Sequence, residues 1–450
     1  MASIHRAMRQ VKDELPNQIS QQLAHDACVA AGYRWRDRVL TPVATLRLLV
    51  LQVIWGNVAC RAVSHLSDRT FTAAAYCQAR MRVPVDVFSH VAAALTRQAR
   101  QRTIDFGRWK GHRVMHVDGT GLSMPDTPQL QQTFGQPGAM KVGCGFPVMH
   151  VLWLFDAATG LIVDFIAGPW NTHDLSHASH LHASMDEADV LVGDRAFGTF
   201  AHLATLIQAH RQGLFRVHHR KIVSFTRGRK SRAQRPMRQR RGVPASRWIR
   251  RLGRADQMVA YVKPKRRPEW MDRQSFEALP DELVVRELRY RITRRGCRTT
   301  TVTLVTTLLD ASRYRKDELV ELYGTRWQVE TNLRHLKQTM GLDVLHSKTA
   351  AGVHKELWIY VMVYNQVRQF MLDAAQRQGV HPDRISFIDA LDAMRRCGPA
   401  AAVPRTLVVN PLRPNRDEPR VIKRRKDRHR HMTRPREQLR KTLGIKHVGS

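Results

Sequence analysis

Cysteine is scarce in this chain, and its six cysteines stand far apart, with no pair at the Cys-x-x-Cys spacing. That spacing argues against a zinc ribbon and against a disulfide framework, and it fits a protein of the reducing cytoplasm. The first ten residues also lack the apolar core of a secretory signal. We therefore expect a cytoplasmic protein.

Long apolar runs are missing as well. The most apolar segment, residues 46–55, is too short to span a bilayer and contains Arg47. The preceding Thr41 and Pro42 are typical of the cap and first turn of a buried helix. We expect no association with a membrane.

Acidic residues are few relative to basic ones: 38 Asp and Glu stand against 74 Lys and Arg, for a formal net charge of +36. Such a charge destabilises a compact fold by self-repulsion unless a polyanion binds. The excess is spread along the chain, so nucleic acid is the favoured partner. Since 43% of the residues are hydrophobic, the chain can form two or three cores, which argues against a ribosomal or histone-like role.

Changes in residue periodicity divide the chain into five segments. These are a helical segment (1–105), alternating strands and helices (106–219), a basic β-rich insertion (220–308), a return to helices (309–380), and a helix followed by a basic, non-periodic tail (381–450). Strands followed by strand–helix alternation predict an α/β fold, with a mixed sheet covered by helices. Residues 227–254 of the insertion hold many arginines and few apolar residues, so we expect much of this part to be mobile without a partner.

Two carboxylates stand at the ends of predicted strands. Asp118 ends the run 114–118 and precedes a glycine, while Asp194 ends a short, largely apolar run that begins at residue 189. Taken alone, Asp118 is also typical of a residue that caps a turn. At Asp194 an uncompensated charge beside a buried strand would be costly, which favours a functional partner.

A third carboxylate lies in the run 316–341, which contains no proline and is predicted as one unbroken helix. At 100° per residue, Tyr323, Arg326, Glu330 and Lys337 fall on one face, within an arc of roughly 60°. The same spacing fits an ordinary solvated face with an i,i+4 Arg–Glu pair. A carboxylate flanked by cations and a phenol is also what a site for phosphate and divalent metal requires.

Asp118, Asp194 and Glu330 together form the predicted catalytic and metal site. Two divalent ions about 3.5–4 Å apart activate a nucleophile and stabilise a leaving oxygen in phosphoryl transfer. Mg²⁺ and Mn²⁺ bind carboxylate oxygen and keep several waters, so few protein ligands are needed. We therefore predict two Mg²⁺ ions, for which Mn²⁺ substitutes.

These residues resemble the insertion-sequence-4 family of bacterial DDE transposases over about residues 40–375. The spacing Tyr323-x2-Arg326-x3-Glu330-x6-Lys337 is similar to the Tyr-Arg-Glu-Lys motif of that family. Two blocks resemble its acidic motifs: Asp118-Gly119-Thr120 and Gly193-Asp194-Arg195-Ala196-Phe197. Four spaced residues and two flanking blocks in the right order make the resemblance specific.

The resemblance implies a ribonuclease-H-like catalytic core with an insertion before the glutamate helix. It implies cut-and-paste transposition by a homodimer or larger synapse, acting on double-stranded DNA at terminal inverted repeats and target sites near the bacterial nucleoid. Tyr323, Arg326 and Lys337 would bind DNA phosphates, and the helical segment 1–105 is our choice for binding the DNA ends. Some relatives hold a flipped base on an aromatic residue of the insertion, for which Trp248 and Trp270 are candidates.

Alternatives remain open at several residues and for the whole chain. Arg195 pairs with a carboxylate or a phosphate near the site, or equally forms a structural salt bridge. Each tryptophan is equally an ordinary packing residue. A nuclease on the same core would share the metal ions without strand transfer. A DNA-binding repressor without catalysis would use the basic segments alone.

Overall fold

The computed structural model describes residues 19–67, 69–138, 140–172, 174–292, 300–397, 407–411 and 434–442. Most of the predicted basic tail lies outside the described residues. No helix in these ranges is long and apolar enough to cross a membrane.

The described strands form one nine-stranded mixed sheet. They are β1 (Val114–Ser123), β2 (Val148–Asp156), β3 (Ile162–Pro169), β4 (Val190–Gly193), β5 (Gln212–Arg216), β6 (Arg247–Gly253), β7 (Asp256–Val262), β8 (Glu282–Ile292) and β9 (Thr300–Thr306). Their order across the sheet is β3-β2-β1-β4-β5-β9-β8-β7-β6. The pairs β1–β4 and β4–β5 are parallel, and the others are antiparallel. The predicted α/β class with a mixed sheet is confirmed.

Helices precede, cover and follow this sheet. They are α1 (Gln21–Ala30), α2 (Pro42–Ile54), α3 (Cys60–Val63), α4 (Ala73–Arg82), α5 (Val85–Arg102), α6 (Pro128–Phe134), α7 (Asp174–Leu181), α8 (Phe200–Gln208), α9 (Arg273–Glu277), α10 (Lys316–Gly324), α11 (Trp327–Arg334), α12 (Ala350–Gln378), α13 (Phe387–Cys397) and α14 (Arg436–Thr442). Threonine is the N-cap residue of several of these helices. The side chains of Thr41, Thr72, Thr127, Thr199 and Thr349 each accept a backbone N–H of the first turn.

The two faces of the sheet pack into different cores because side chains alternate along each strand. On β2, Trp153 and Phe155 pack into the core that contains α2, α5 and α12, while Leu152 and Leu154 pack against α7 and α8. The N-terminal helices therefore share a hydrophobic core with α12 and the sheet. Helix α10 packs beside β4 and β9 in a third cluster.

The basic insertion is more ordered than the sequence predicts. Strand β6, which lies within the predicted mobile stretch 227–254, pairs with β7. Arg229 explains part of this order, since its guanidinium donates to the carbonyl oxygens of Ser224 and Ser246. Arg229 thus supplies hydrogen bonds to backbone carbonyl groups of this irregular part of the chain. The expectation that much of 227–254 is mobile without a partner is wrong for β6.

The predicted unbroken helix at 316–341 is also wrong. Helix α10 ends at Gly324, α11 begins at Trp327, and a π-helical turn follows at His335–Thr339. Gly324 is a poor helix former, and the Thr325 hydroxyl donates to the carbonyl of Leu322 at 2.7 Å. The break therefore falls at Thr325 and Arg326, inside the motif itself.

Candidate active site

The register of three parallel strands aligns the predicted acids. His116 of β1 pairs with Val192 of β4, and Gly193 of β4 pairs with Phe215 of β5. Continuing these registers brings Asp118 level with Asp194, and Asp194 level with Arg216. Since neighbouring strands lie about 4.8 Å apart, the three residues form a row where β4 and β5 end.

The carboxyl group of Asp118 is largely buried, and its side chain is 27% exposed. Burial raises its pKa from 3.8 to about 6, and the charges of Asp194 and Asp174 add to the rise. The Gly119 N–H, which donates to Oδ1 at 2.9 Å, and the Arg326 guanidinium act in the opposite direction. Negatively charged groups thus lie close together in a partly buried place that disfavours the ionised form of Asp118. Such an environment is typical of functional carboxylates.

Asp194 sits in a tight turn after β4. Its Oδ1 accepts the N–H of Ala196 at 2.7 Å, so the side chain closes the turn. The residue before it must be small: a Cβ on Gly193 would lie 2.8 Å from the Phe197 ring and 2.9 Å from Val117. Glycine at this position therefore lets the turn that carries Asp194 pack directly on β1.

Arg326 links two of the predicted acids. Its Nη2 lies 2.8 Å from Oε1 of Glu330, and its Nη1 lies 3.9 Å from Oδ2 of Asp118. The side chain of Glu330 is 55% exposed, whereas that of Arg326 is 21% exposed. The guanidinium thus occupies the space between the strand and the helix that carry these two carboxylates.

The other two motif residues also lie near β1. Burial raises the pKa of Tyr323, while Arg326 and Arg216 lower it and Asp194 raises it further, so its phenol lies among these charged groups. The Lys337 ammonium donates to the Gly121 carbonyl at 3.0 Å and lies 3.2 Å from a carboxylate oxygen of Asp343. The motif therefore follows β1 even though its helix is broken.

Sequence reasoning missed Asp174 and its partner His150. Oδ1 of Asp174, at the start of α7, lies 2.5 Å from Nε2 of His150. A Cβ on Gly119 would lie 2.5 Å from the same Oδ1, so the pair packs against β1 on the face opposite Arg326. A glycine inside a strand indicates that another group packs closely against the backbone, so Gly119 was the signal available in the sequence. No local feature identified Asp174 or His150 as that group.

Arg216 was missed too. It is the last residue of β5, and its charge lowers the pKa of Tyr323 together with that of Arg326. The available signal was its place in a short, largely apolar run, residues 214–217, within the segment of alternating strands and helices. The order of the parallel strands, which puts it beside Asp194, is a long-range property.

The remaining predicted residues lie in different places. Trp270 borders a cavity of about 520 Å³ whose other walls include Thr172, Ser176, Thr199, Arg266 and Arg267. Two residues that line this cavity, Thr172 and Thr199, lie only a few positions along the chain from Asp174 and Asp194. Arg195 is exposed, and Trp248 lies on β6 at the edge of the sheet, away from β1 and β4.

The donor set at Asp118 and Asp194 fits a hard divalent cation, because carboxylate oxygens are what Mg²⁺ and Mn²⁺ prefer. Burial raises the pKa of Asp118, and a bound cation would stabilise its ionised form there. Glu330 is paired with Arg326 instead. Within the described ranges, no three His, Cys, Asp or Glu side chains gather closely enough to hold a metal ion.

Comparisons with known proteins bear on the family of the chain. Residues 109–366 match the family described as "Transposase DDE domain". The chain is 25% identical over 338 residues to the transposase InsG for insertion sequence element IS4 of Escherichia coli (strain K12), covering 73% of this chain and 68% of that protein. It is also similar to a piggyBac transposase in a synaptic complex with hairpin DNA, with a TM-score of 0.46, 9% identity, and coverage of 84% and 78% of the two chains.

The chain belongs to the transposase DDE domain family, whose match spans more than half of it. The resemblance to insertion-sequence-4-type DDE transposases is confirmed. So is the predicted function as a DNA transposase, an enzyme that cleaves and joins DNA strands. Enzymes of this family generally use divalent metal ions.

Proposed function

We propose that the chain catalyses cut-and-paste transposition of an insertion sequence, with Asp118, Asp194 and Glu330 as its catalytic carboxylates. The supporting observation is the alignment of Asp118 with Asp194, together with the contact that Arg326 makes to both Asp118 and Glu330. The guanidinium of Arg326 thus contacts two of the three acids, and the strand register aligns the third, Asp194, with Asp118. The core that carries them is, in this proposal, ribonuclease-H-like.

In this proposal Asp118 and Asp194 hold divalent ions, and Glu330 joins them when Arg326 releases it. The preferred ions are two Mg²⁺, with Mn²⁺ as a substitute. When bound, they would activate the attacking water or 3′-hydroxyl and stabilise the leaving oxygen. Above pH of about 6, Asp118 is ionised and ready to bind a cation.

The cations of the site bind DNA phosphates. Arg326 has a planar guanidinium suited to a phosphate, and it can exchange Glu330 for a DNA oxygen. Tyr323 lies near Asp194 and Arg216, and Lys337 contacts Gly121 on the strand that carries Asp118. We include Arg195, which is exposed beside Asp194, among the contacts to the DNA backbone.

Trp270 is the better placed of the two predicted aromatic residues for holding an unstacked base. It borders a cavity together with Arg266 and Arg267, so an aromatic surface and two cations face one space. Aromatic stacking with nearby cations is a sequence-tolerant way to bind a base and its phosphates. Trp248 stays a candidate for contact with DNA along β6.

DNA ends are bound by the helical segment 1–105 and the reaction takes place in a homodimer on the bacterial nucleoid. Arg34, Arg36 and Arg38 support the first part, since all three are exposed on one short segment of that region. They alternate with Tyr33 and Trp35, whose rings stack with centroids 6.3 Å apart.

Changing Glu330→Gln tests the proposed catalysis on labelled terminal repeats with Mg²⁺. Glu277→Gln is a matched control, because Glu277 forms another exposed i,i+4 pair, with Arg273 at 2.7 Å. We expect cleavage to be lost in the first variant and kept in the second. Unchanged cleavage by Glu330→Gln contradicts the assignment.

The same assay separates the rival functions. A nuclease without strand transfer nicks the labelled ends and gives no joined product. A repressor binds the ends and gives neither product. Joined products that require Glu330 support transposition.

A further inference from the structure

A buried histidine lies directly behind the proposed site. His116 precedes Asp118 by two residues on β1, so both side chains point to the same face of the sheet. His116 is fully buried, and its Nε2 lies 2.9 Å from the Oγ1 of Thr325. This contact joins β1 to the break between α10 and α11.

The direction of this hydrogen bond follows from its neighbours. The Thr325 hydroxyl donates its only proton to the carbonyl oxygen of Leu322, at 2.7 Å. Its oxygen therefore accepts from His116, and Nε2 of His116 carries the proton. The other ring nitrogen, Nδ1, is buried with no hydrogen-bond partner in the described part of the chain.

An unpaired buried nitrogen is unfavourable, and a leucine of similar size would pack here without one. The position therefore has a use beyond packing. That use is in the bond to Thr325, because Arg326 is the next residue and Glu330 lies little more than one turn later. The bond fixes the start of α11 relative to the strand that carries Asp118.

We propose that His116 is a positioning residue for the transposition reaction, acting through Thr325 to hold Arg326 and Glu330 opposite Asp118. It touches neither DNA nor the reacting atoms. The inference rests on the proposed function, in which Glu330 acts together with Asp118. It adds a residue outside the three acids and the Tyr-Arg-Glu-Lys motif.

Removal and partial restoration of the bond test the proposal. Thr325→Val removes the hydroxyl at nearly constant volume, and Thr325→Ser restores it; His116→Leu and His116→Gln form the second pair. Thr103→Val is the matched control, because the Thr103 hydroxyl also donates to helix carbonyl oxygens, those of Ala99 and Arg100, but has no histidine partner.

The first measurement needs neither DNA nor metal. Amide hydrogen exchange across residues 322–332 should become about fivefold to tenfold faster in Thr325→Val and His116→Leu, as expected for loss of one buried hydrogen bond. Exchange in this segment should stay unchanged in Thr103→Val. The double variant should be no faster than Thr325→Val alone, since each change removes the bond between His116 and Thr325.

The second measurement is the Mn²⁺ concentration that gives half-maximal cleavage of labelled terminal repeats. We expect it to rise about tenfold in Thr325→Val and to return towards the wild-type value in Thr325→Ser. Binding of pre-cleaved ends in EDTA should change far less. Normal exchange and normal Mn²⁺ dependence in folded Thr325→Val overturn the proposal.

Glu330→Gln, assayed in parallel, separates the two levels of inference. If Glu330→Gln still cleaves, the proposed function fails. If Glu330→Gln is inactive while Thr325→Val and His116→Leu behave as wild type, only the positioning role fails.

Discussion

Nη1 of Arg326 lies 3.9 Å from Oδ2 of Asp118, although the two residues come from a helix and a strand far apart in the sequence. The same guanidinium holds Glu330 at 2.8 Å. One cation thus partly neutralises two carboxylates that we assign to metal binding. DNA phosphates would compete with the two carboxylates for Arg326. Divalent ions would compete with Arg326 for the two carboxylates.

Arg326→Ala should weaken binding of pre-cleaved DNA ends and flatten its salt dependence. Loss of one phosphate contact reduces the slope of log affinity against log salt by about 0.9 for duplex DNA. Arg273→Ala removes another i,i+4 Arg–Glu pair and serves as the control. Fluorescence anisotropy in EDTA at several salt concentrations measures the slopes; equal slopes for Arg326→Ala and wild type would falsify the phosphate-binding role.

Arg326→Ala should also change metal binding by the DNA-free protein. Without the guanidinium, Glu330 and Asp118 lose their positive partner, so their oxygens become available to a cation. Calorimetric titration with Mn²⁺ should show severalfold tighter binding in Arg326→Ala and no change in Arg273→Ala. Weaker Mn²⁺ binding in Arg326→Ala would mean that the guanidinium supports the metal site rather than competing with it.

Asp118→Asn should stabilise the metal-free protein at high pH. Folding raises the pKa of Asp118 from 3.8 to about 6, so the folded state holds this proton more tightly than the unfolded state. Wild-type stability therefore falls as the pH rises from about 4 to about 6, and the loss persists above that. Asn does not titrate, so the variant should gain about 1–3 kcal/mol at pH of about 8 and little near pH 4.

Denaturant unfolding in EDTA at the two pH values measures this effect. Asp105→Asn is the control, because the Asp105 side chain is 93% exposed. An equal gain at both pH values would point to a packing effect of the amide. No gain at high pH would mean that Asp118 carries no electrostatic strain.

Trp270→Ala should abolish base stacking in the cavity. A fluorescent base analogue at the terminal position of a pre-cleaved end should be quenched by the wild type, because an aromatic ring stacks on the unpaired base. Trp248→Ala should keep the quenching, since Trp248 lies on the edge strand β6. Quenching that persists in Trp270→Ala and disappears in Trp248→Ala would reverse our assignment.

The sequence predicted the features of this fold that local pattern determines. The prediction that Asp118 ends a strand was wrong, because β1 continues through Gly119 and Gly121 to Ser123. Asp194 does directly follow β4, where an apolar run gave way to glycine, and this is a short-range signal. The strands of the insertion were predictable for the same reason. Their place in the sheet was not, because pairing of β9 with β5, which continues the core sheet into the insertion, depends on distant residues.

The break at Thr325 and Arg326 shows where helical periodicity misleads. The apolar spacing continues through the run, but a hydroxyl that bonds to Leu322 and a buried histidine from β1 end the helix there. No local signal identified the contribution of His116. For the same reason the pairing of Asp174 with His150 was found only once the strands were in place.

Replacement of each acid by cysteine tests the central claim most directly. Asp118→Cys, Asp194→Cys and Glu330→Cys exchange an oxygen ligand for a sulfur ligand, which Mn²⁺ accepts better than Mg²⁺. Cleavage of labelled terminal repeats is measured with each ion. We expect the wild type to cleave with either ion and each cysteine variant to cleave, weakly, with Mn²⁺ alone. Full cleavage with Mg²⁺ by any one variant would remove that residue from the metal site and contradict the proposed convergence of the three acids.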